Sequence, residues 1–282
     1  MKKGNQGEMS FLQHLEELRW HIIRSAMAII FFAILAFIYN KIIFDYILIS
    51  PKNPSFFTNR VFAQLAELLH SPGIRINDKP FQIININMSG QFQADMWISL
   101  IAGFILAFPF VIWELWRFIA PALHSKERQN ARGAVLAISG LFFTGVLFGY
   151  YLIVPLSIHF LGTYSVSDQI LNQINLGSYF STIASISLAS GLIFELPAVA
   201  YFLAKIDVIN TSFLKKYRRH AIIIILIVSA IITPPDVFSQ TLVAIPLYLL
   251  YEISILIVAV IQKNRKKEAI AAEESQEYLE RK

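Results

Sequence analysis

Residues 134–161 of this chain read AVLAISGLFFTGVLFGYYLIVPLSIHFL and contain no Asp, Glu, Lys or Arg. An apolar helix of about 20 residues crosses the hydrocarbon core of a bilayer, which is about 30 Å thick. This stretch is therefore long enough to cross a membrane with a tilt. It predicts that the chain folds in a membrane and not in water.

The composition of the whole chain supports the same interpretation. Of 282 residues, 56% are hydrophobic and only 15% are charged, whereas soluble domains average about 45 to 50% and about 25%. This excludes a disordered chain and an ordinary cytosolic enzyme. The absence of cysteine excludes disulfides, thiol catalysis and cysteine-bound zinc. The net charge of +5 is compatible with nucleic-acid binding as a bulk number, so the positions of the charges must decide.

Five more apolar stretches accompany the first, and the six predicted spans are residues 20–39, 96–113, 134–161, 179–204, 221–232 and 237–261. Arg24 interrupts the first span close enough to its end to snorkel to the interface, and Pro197 is expected to kink the fourth. The fifth has only 12 residues, which suits a re-entrant or buried helix as well as a span. Its flanking basic cluster and the turn Thr233-Pro234-Pro235-Asp236 favour a short hairpin in a locally thinned bilayer.

Six spans place both termini on one side of the membrane. Nineteen of the 24 Lys and Arg residues fall in the N-terminal segment, the second and fourth connections and the C-terminal tail. Since Lys and Arg accumulate in cytoplasmic loops, both termini are predicted to be cytoplasmic, and no nucleic-acid partner is expected. The predicted organisation is a membrane domain over residues 1–262 with an outer loop at 41–90, followed by a charged cytoplasmic tail over 263–282. A cleavable signal peptide is disfavoured because no cleavage site follows the first span.

Two acids on the predicted cytoplasmic face are candidate binding residues. Glu17 lies in the amphipathic motif His14-Leu15-Glu16-Glu17-Leu18-Arg19, where Glu16 and Arg19 are spaced to pair. Glu127 follows the motif Phe118-Ile119-Ala120-Pro121-Ala122-Leu123, at the first turn of the next helix. The alternatives are ordinary solvated charges for Glu17 and a carboxylate that complements the helix dipole for Glu127.

Other polar residues lie within or beside the spans. A charged carboxylate at the position of Glu195 costs about 2.5 to 3.5 kcal/mol on insertion scales, so it is a functional candidate, with interhelical hydrogen bonding as the alternative. Asp236 and Gln240 are candidates for contact with a partner or, alternatively, for helix capping. No role is assigned to Glu252, and pairing between helices is the favoured interpretation.

Four motifs together carry a resemblance to a known family. They are His14-Leu15-Glu16-Glu17-Leu18-Arg19, then Phe118–Leu123 with Glu127-Arg128, then Phe194-Glu195-Leu196-Pro197, and Thr233–Gln240. In order and spacing they resemble the TatC family, the receptor subunit of the twin-arginine protein translocase. The resemblance implies an all-α integral membrane protein of the cytoplasmic (inner) membrane. It further implies six transmembrane helices, cytoplasmic termini, short last two helices and a concave, glove-like bundle.

The resemblance also implies the roles of particular residues. Glu17 and Glu127 would contact the paired arginines of signal peptides, Phe118 would line the same site and Arg19 would orient Glu17. Glu195, Asp236 and Gln240 would contact the single-span partners TatA and TatB. The implied protein has no catalytic residue, metal or cofactor; it binds folded precursors and depends on the proton-motive force. Self-association is also expected, and the basic residues on the cytoplasmic side are expected to meet anionic lipid.

A small secondary transporter or proton channel with Glu195 as its titrating group is the alternative function. A single deep acid and no internal repeat give little basis for alternating access. A membrane-embedded enzyme is not supported, because no Walker loop, GxSxG or HExxH motif is present.

Overall fold

The computed structural model of the chain describes residues 11–71, 73, 75–78, 81–119, 131–167, 169, 172–233 and 237–281. Its helices are α1 Phe11–Ile38, α2 Asn40–Ile42, α3 Phe57–Leu68, α4 Gly90–Ile119, α5 Ala131–Phe148, α6 Val154–Thr163, α7 Leu176–Phe194, α8 Leu196–Lys205, α9 Thr211–Lys216, α10 Arg218–Ile232 and α11 Val237–Glu280. Two short strands, β1 Ile83–Ile84 and β2 Ile174–Asn175, complete the regular structure, with π-helical turns at Ile43–Leu48 and Gly149–Ile153 and a 3₁₀ turn at Ser50–Lys52.

Within the described residues, five helical segments are long and apolar enough to cross a membrane. They are Leu15–Ile38, Gly90–Ile119, Gly133–Thr163, Leu176–Lys205 and Ser239–Lys267. The fifth predicted span corresponds to α10, which has 15 residues. The fold class, an all-helical membrane protein with long apolar helices and shorter ones, is confirmed.

The prediction of a short last helix is wrong. α11 has 44 residues and continues through the charged segment after Ile261. The physical reason is local: residues 262–280 contain no Pro or Gly and are rich in Ala, Glu, Lys and Gln, which are strong helix formers. Nothing in the sequence ends the helix where the apolar stretch ends.

The described residues form two compact units. The first consists of residues within Met1–Ser50, Ile83–Phe143 and Asn175–Ala184, and in it α1 packs along α4. Gly103 permits this close approach, because a Cβ there would lie 2.5 Å from the backbone nitrogen of Ala33. Phe108 stacks on Phe142, with ring centroids 3.6 Å apart. Backbone proximity and aromatic packing therefore fix the register of the first unit.

The second unit consists of residues within Pro51–Gln82, Thr144–Ile174 and Ser185–Lys282. α8 packs against α11 through a small core of Ala200, Ala204, Val258 and Ile261. Elsewhere in this unit, a Cβ on Gly145 would lie 2.6 Å from the carbonyl oxygen of Ser190. Small residues thus let helices approach closely where no side chain fits between them.

The connection between α8 and α9 is fastened to the far part of α11. Arg265 forms an ion pair with Asp207 at 2.6 Å, and Asp207 has a positive φ of 65°. The hydroxyl of Thr211 donates to Oε1 of Gln262 at 2.6 Å, and so does its backbone N–H, at 3.2 Å. These contacts hold the end of the apolar stretch of α11 to its neighbours.

Pro155 explains the irregular helix in the third long segment. Proline has no backbone N–H to donate to the carbonyl of Tyr151, and the π-helical turn Gly149–Ile153 precedes it. The hydroxyl of Thr58, in α3, donates to this carbonyl instead. A side chain from the predicted outer loop therefore satisfies a backbone acceptor that the proline leaves open.

The predicted outer loop contains more structure than expected. The strand expected near Ile83 is present as β1, whereas the twelve-residue helix α3 has no counterpart in the sequence prediction. Helix α3 buries Phe62 against Ile76 and Leu156. Its helical pattern covers three turns in a segment otherwise rich in Asn, Pro and Ser, which is why the segment was expected to be loop.

Candidate functional site

A buried carboxylate joins α1 to α4 near one end of both helices. Glu114 is 2% exposed, and its Oε2 lies 2.8 Å from Nε of Arg24 and 2.6 Å from Nδ1 of His21. Its second oxygen, Oε1, lies 3.2 Å from Nη1 of Arg117. Both carboxylate oxygens therefore have basic neighbours, which compensates for removing a charge from water. We call Glu114, His21, Arg24 and Arg117 the Glu114 cluster.

The Glu114 cluster places two of the predicted site residues on neighbouring surfaces. Phe118 comes one helical turn after Glu114, and its ring packs edge-on against His21, with centroids 5.9 Å apart. Glu17 comes one turn before His21 on α1 and is exposed. With 3.6 residues per turn, Glu17, His21 and Arg24 share one face of α1. The turn that carries Glu17 therefore lies next to the end of α4 that carries Phe118.

Of the other two residues of the predicted signal-peptide site, only Arg19 is described, and it is not brought to this surface. Arg19 is exposed and lies two residues from Glu17, on another face of α1. Among the described residues, no ion pair joins Glu16 to Arg19, so the expected pairing is not seen there. Glu127 lies outside the described residues. α4 is described as far as Ile119, and Pro121, which is predicted to end it, also lies outside the described residues.

Arg24, which is predicted to lie close enough to the end of its span to snorkel, donates from Nε to the buried Glu114 at 2.8 Å. The sequence prediction missed Glu114 and His21 altogether. A signal was available: Glu114 is the first charge after the apolar run 96–113, and Arg24 is the charge that interrupts the first span. An acid and a base at the edges of two apolar stretches are candidates for a pair, because each is costly alone.

Glu195 occupies a break between two helices of the second unit. It lies between α7 and α8, is half-buried, and its N–H donates to the carbonyl of Leu192 at 3.2 Å. Pro197, in the first turn of α8, has no N–H for the carbonyl of Ile193. The predicted kink near Pro197 is confirmed as an interruption of the helix at Glu195 itself. Because of this break, Glu195 lies between the end of one helix and the start of the next, and not inside a continuous helix.

Polar contacts join α10 to α11. Nε2 of Gln240 donates to the backbone carbonyl of Leu226 at 3.1 Å, so this side chain fastens one helix to the other. Nη2 of Arg218 lies 2.8 Å from Oε2 of Glu252, which confirms the expected interhelical pairing of Glu252. Asp236 lies outside the described residues.

Metal chemistry has no obvious location in the described part of the chain. Within it, no group of three or more His, Asp or Glu side chains is arranged to hold a metal ion. The Glu114 cluster consists of one acid surrounded by bases, which is a charge-compensated joint between helices and not a ligand set.

The fold and its polar joints define a polytopic helical membrane protein, and comparisons with known proteins give its family. A family model described as Sec-independent protein translocase protein (TatC) matches residues 13–246. A TatC of Blattabacterium sp. subsp. Periplaneta americana is 41% identical, over 93% of this chain and 100% of the relative. A TatC of Carboxydothermus hydrogenoformans is 35% identical, over 88% of this chain and 92% of the relative.

Solved structures agree with the sequence comparisons. Two crystal structures of the twin-arginine translocase receptor TatC are each 33% identical to the chain. One has a TM-score of 0.62 and covers 88% of this chain and 99% of its own; the other, determined in DDM, has a TM-score of 0.68 and covers 86% and 98%. The chain belongs to the TatC family, as a receptor subunit of the twin-arginine translocase, a multi-pass transport protein of the cytoplasmic membrane and not an enzyme. The resemblance predicted from the four motifs is confirmed.

Proposed function

We propose that the chain binds the paired arginines of signal peptides on folded precursor proteins at the cytoplasmic face. The observation that carries this proposal is the Glu114 cluster. It holds α1 against α4 so that the turn with the exposed Glu17 lies beside Phe118. A peptide on this surface meets one carboxylate and one aromatic ring on a rigid base.

Glu17 and Glu127 are the proposed ligands of the two guanidinium groups. Two arginines side by side are best recognised by two carboxylates, because a guanidinium and a carboxylate form paired, charge-assisted hydrogen bonds. The surrounding basic residues repel arginines, so these acids provide the discrimination. Phe118 lines the site. A role of Arg19 in orienting Glu17 rests on the family resemblance alone, because Arg19 lies on another face of α1.

In the proposed topology both termini are cytoplasmic. Residues 1–262 form the membrane domain with an outer loop at 41–90, and residues 263–282 form a charged cytoplasmic tail. The distribution of Lys and Arg supports this orientation, since four segments on one side hold 19 of the 24.

A second set of residues is proposed to bind the single-span subunits TatA and TatB during export driven by the proton-motive force. Glu195 contacts them within the membrane, and Asp236 and Gln240 contact them near the outer surface. The break at Glu195 supports this role, because a half-buried acid at an interrupted helix offers a polar contact to a neighbouring span. Self-association and contact with anionic lipid complete the proposed assembly.

The signal-peptide site is tested by comparing two adjacent acids. We expect Glu17→Gln to abolish crosslinking of a twin-arginine precursor to this chain in membrane vesicles. Glu16→Gln is the matched control, because it removes the same charge from another face of α1 and should leave crosslinking intact. Equal crosslinking by both variants would contradict the assignment of Glu17.

The guanidinium-reading mechanism has its own test in the precursor. Replacing Arg-Arg with Lys-Lys keeps the charge and loses the planar fork. We expect crosslinking to fall for the wild-type chain, and no difference should remain in the Glu17→Ala, Glu127→Ala double variant. Undiminished crosslinking of the Lys-Lys precursor to the wild-type chain would rule the mechanism out.

A further inference from the structure

A buried polar network joins the predicted outer loop to the third long segment. Asn77, in the loop segment 75–78, is 5% exposed. Its Nδ2 donates to Oδ1 of Asn59 in α3 at 3.2 Å and to the carbonyl of Pro155 in α6 at 3.0 Å. Its backbone N–H donates to Nδ1 of His159 in α6 at 3.2 Å. We call Asn77, Asn59, Pro155 and His159 the Asn77 network.

The hydrogen bonds of the Asn77 network hold a backbone conformation that is rare for an L-residue. Asn77 has a positive φ of 51°, in the left-handed region that asparagine tolerates better than most residues. The preceding residue, Ile76, is buried against Phe62 of α3 and Leu156 of α6. The place of Ile76 in this small core therefore depends on the neighbouring Asn77 network.

The bond between Asn77 and His159 depends on the protonation state of the imidazole. Nδ1 accepts a hydrogen bond only in the neutral ring, because both nitrogens of an imidazolium are donors. A proton on Nδ1 would face the N–H of Asn77, and two donors would then meet. The other members of the Asn77 network contribute amides and a carbonyl, which do not titrate. His159 is thus the member whose hydrogen-bonding role changes with pH.

A carboxylate lies close to this histidine. Asp78 directly follows Asn77, is exposed and interacts electrostatically with His159. Arg75, in the same loop segment, pairs with Glu67 of α3 at 3.0 Å, and Arg60 of α3 is exposed. Asp78 is therefore a carboxylate that can accept a hydrogen bond from the protonated ring.

The other segments that pack near this end of α6 bring no charge. Phe81 and Ile174 would lie within 4 Å of a Cβ on Gly162, and Leu242 of α11 packs against the core that contains Leu156. Residues 81–89, 172–178 and 237–251 contain no Asp, Glu, Lys or Arg, and His159 is the one charged or titratable residue of α6.

The position of His159 gives it access to protons. It is half-buried and lies four residues before the end of α6 at Thr163. Histidine is the side chain that ordinarily titrates between about pH 5 and 8. In the proposed topology this end of α6 faces the outer side, which is the side that the proton-motive force acidifies.

We propose that His159 is a proton-binding site whose occupation opens the Asn77 network. Proton binding turns Nδ1 into a donor and removes the acceptor of the Asn77 N–H, and the imidazolium then donates to Asp78. The segment 75–78 thereby separates from α6. Helix α3 stays attached at its start, because the hydroxyl of Thr58 donates to the carbonyl of Tyr151.

This proton site is independent of the proposed signal-peptide site. It shares no residue with that site or with the Glu114 cluster. Only the side from which the proton comes rests on the proposed topology, so the opening itself is testable on purified protein whatever the outcome of the precursor experiments.

Hydrogen exchange of the full-length chain in nanodiscs tests the proposal, because the N–H of Asn77 is itself an exchanging amide. Peptides that contain residues 75–78 are compared at about pH 7.5 and about pH 5, on either side of the range in which histidine titrates. Labelling times are adjusted for the pH dependence of chemical exchange. We expect about fivefold or greater loss of protection at the lower pH, the factor that corresponds to one net intramolecular hydrogen bond. Unchanged protection would overturn the proposal.

Two variants of His159 separate proton binding from a merely structural hydrogen bond. His159→Asn supplies an oxygen that accepts at either pH, so we expect the segment to stay protected at both. His159→Ala removes the acceptor, and protection is expected to be low at both. A pH dependence in His159→Asn equal to that of the wild-type chain would show that another group binds the proton and would rule the proposal out.

The matched control is the same substitution at another histidine of the predicted outer loop. His70 is exposed and has a positive φ of 48°, which asparagine also tolerates. We expect His70→Asn to retain the pH dependence of the wild-type chain. If His70→Asn abolishes it as His159→Asn does, the assignment to His159 is wrong.

Discussion

Two carboxylates lie within apolar helices of this protein, and their surroundings differ. Glu114 of α4 is 2% exposed and has three basic neighbours, whereas Glu252 of α11 is 29% exposed and pairs with Arg218, which is 43% exposed. The carboxylate withdrawn further from solvent has more compensating charge. The surroundings of an acid in an apolar helix therefore determine what its loss costs in stability. A buried carboxylate depends on the charges of neighbouring side chains, whereas a more exposed one depends on them less.

The largest expected effect is the loss of the buried charge. Glu114→Gln leaves the half-buried His21 and the partly exposed Arg24 facing an amide, so the expected cost is about 2 to 3 kcal/mol, as for a charged group that loses hydrogen bonds. Thermal unfolding of the purified variant in detergent, beside Glu16→Gln as a control for the same change at an exposed position, measures this. A loss no larger than the control would show that the Glu114 cluster does not stabilise the α1–α4 contact.

The next effect tests the close approach on which the buried cluster depends. In Gly103→Ala the new Cβ would lie 2.5 Å from the nitrogen of Ala33, so the helices must separate, at a cost of about 1 to 3 kcal/mol. Gly140→Ala is the matched control, because a Cβ there meets no atom within 4 Å. Equal unfolding temperatures for the two variants would contradict the tight α1–α4 packing.

A smaller effect is expected at the exposed pair. Glu252→Gln leaves Arg218 accessible to water and lipid phosphate, so the expected cost is about 1 kcal/mol or less, typical of solvent-accessible pairs. The same unfolding measurement gives the comparison with Glu114→Gln. Equal losses of stability in the two variants would show that the difference in burial between Glu114 and Glu252 does not affect the free energy of unfolding.

The smallest effect on stability is expected at Glu17, an exposed residue that forms no ion pair in the described part of the chain. Glu17→Gln should leave the unfolding midpoint unchanged while it abolishes precursor crosslinking. This separation distinguishes a binding carboxylate from the structural one at Glu114. A clear loss of thermal stability in Glu17→Gln would show that Glu17, like Glu114, stabilises the fold.

Local properties made much of the fold predictable. Hydrophobic runs located the five long segments, with bounds that differ from the observed ones by at most six residues, since a span depends on its own composition. The helix interruption near Pro197 was predictable for the same reason, because proline removes a hydrogen bond within its own helix. Interhelical pairing was the favoured interpretation of Glu252, but its partner Arg218 was not identified from the sequence.

Contacts between distant residues were not predictable in the same way. The Glu114 cluster joins residues 90 or more positions apart, and no periodicity in either helix specifies the partner. The predicted site is accordingly resolved only in part: Phe118 and the turn of Glu17 lie close together, Arg19 lies on another face, and Glu127 and Asp236 are outside the described residues. The charged segment after Lys263 is helix-prone by composition, but its continuity with the last span was not predicted, because hydropathy changes near Ile261 whereas helix propensity does not.

The unbroken course of α11 has a mechanical consequence. A helix of 44 residues is about 66 Å long, more than twice the thickness of the hydrocarbon core, so it extends well beyond the bilayer as a stiff rod. Its one proline, Pro246, lies in the apolar part, so the weak point for bending is inside the membrane and not at its surface. A force or a torque on the tail is therefore transmitted along the helix into the bilayer and is not absorbed by a hinge at the interface. The contacts of Gln262 and Arg265 lie along this path.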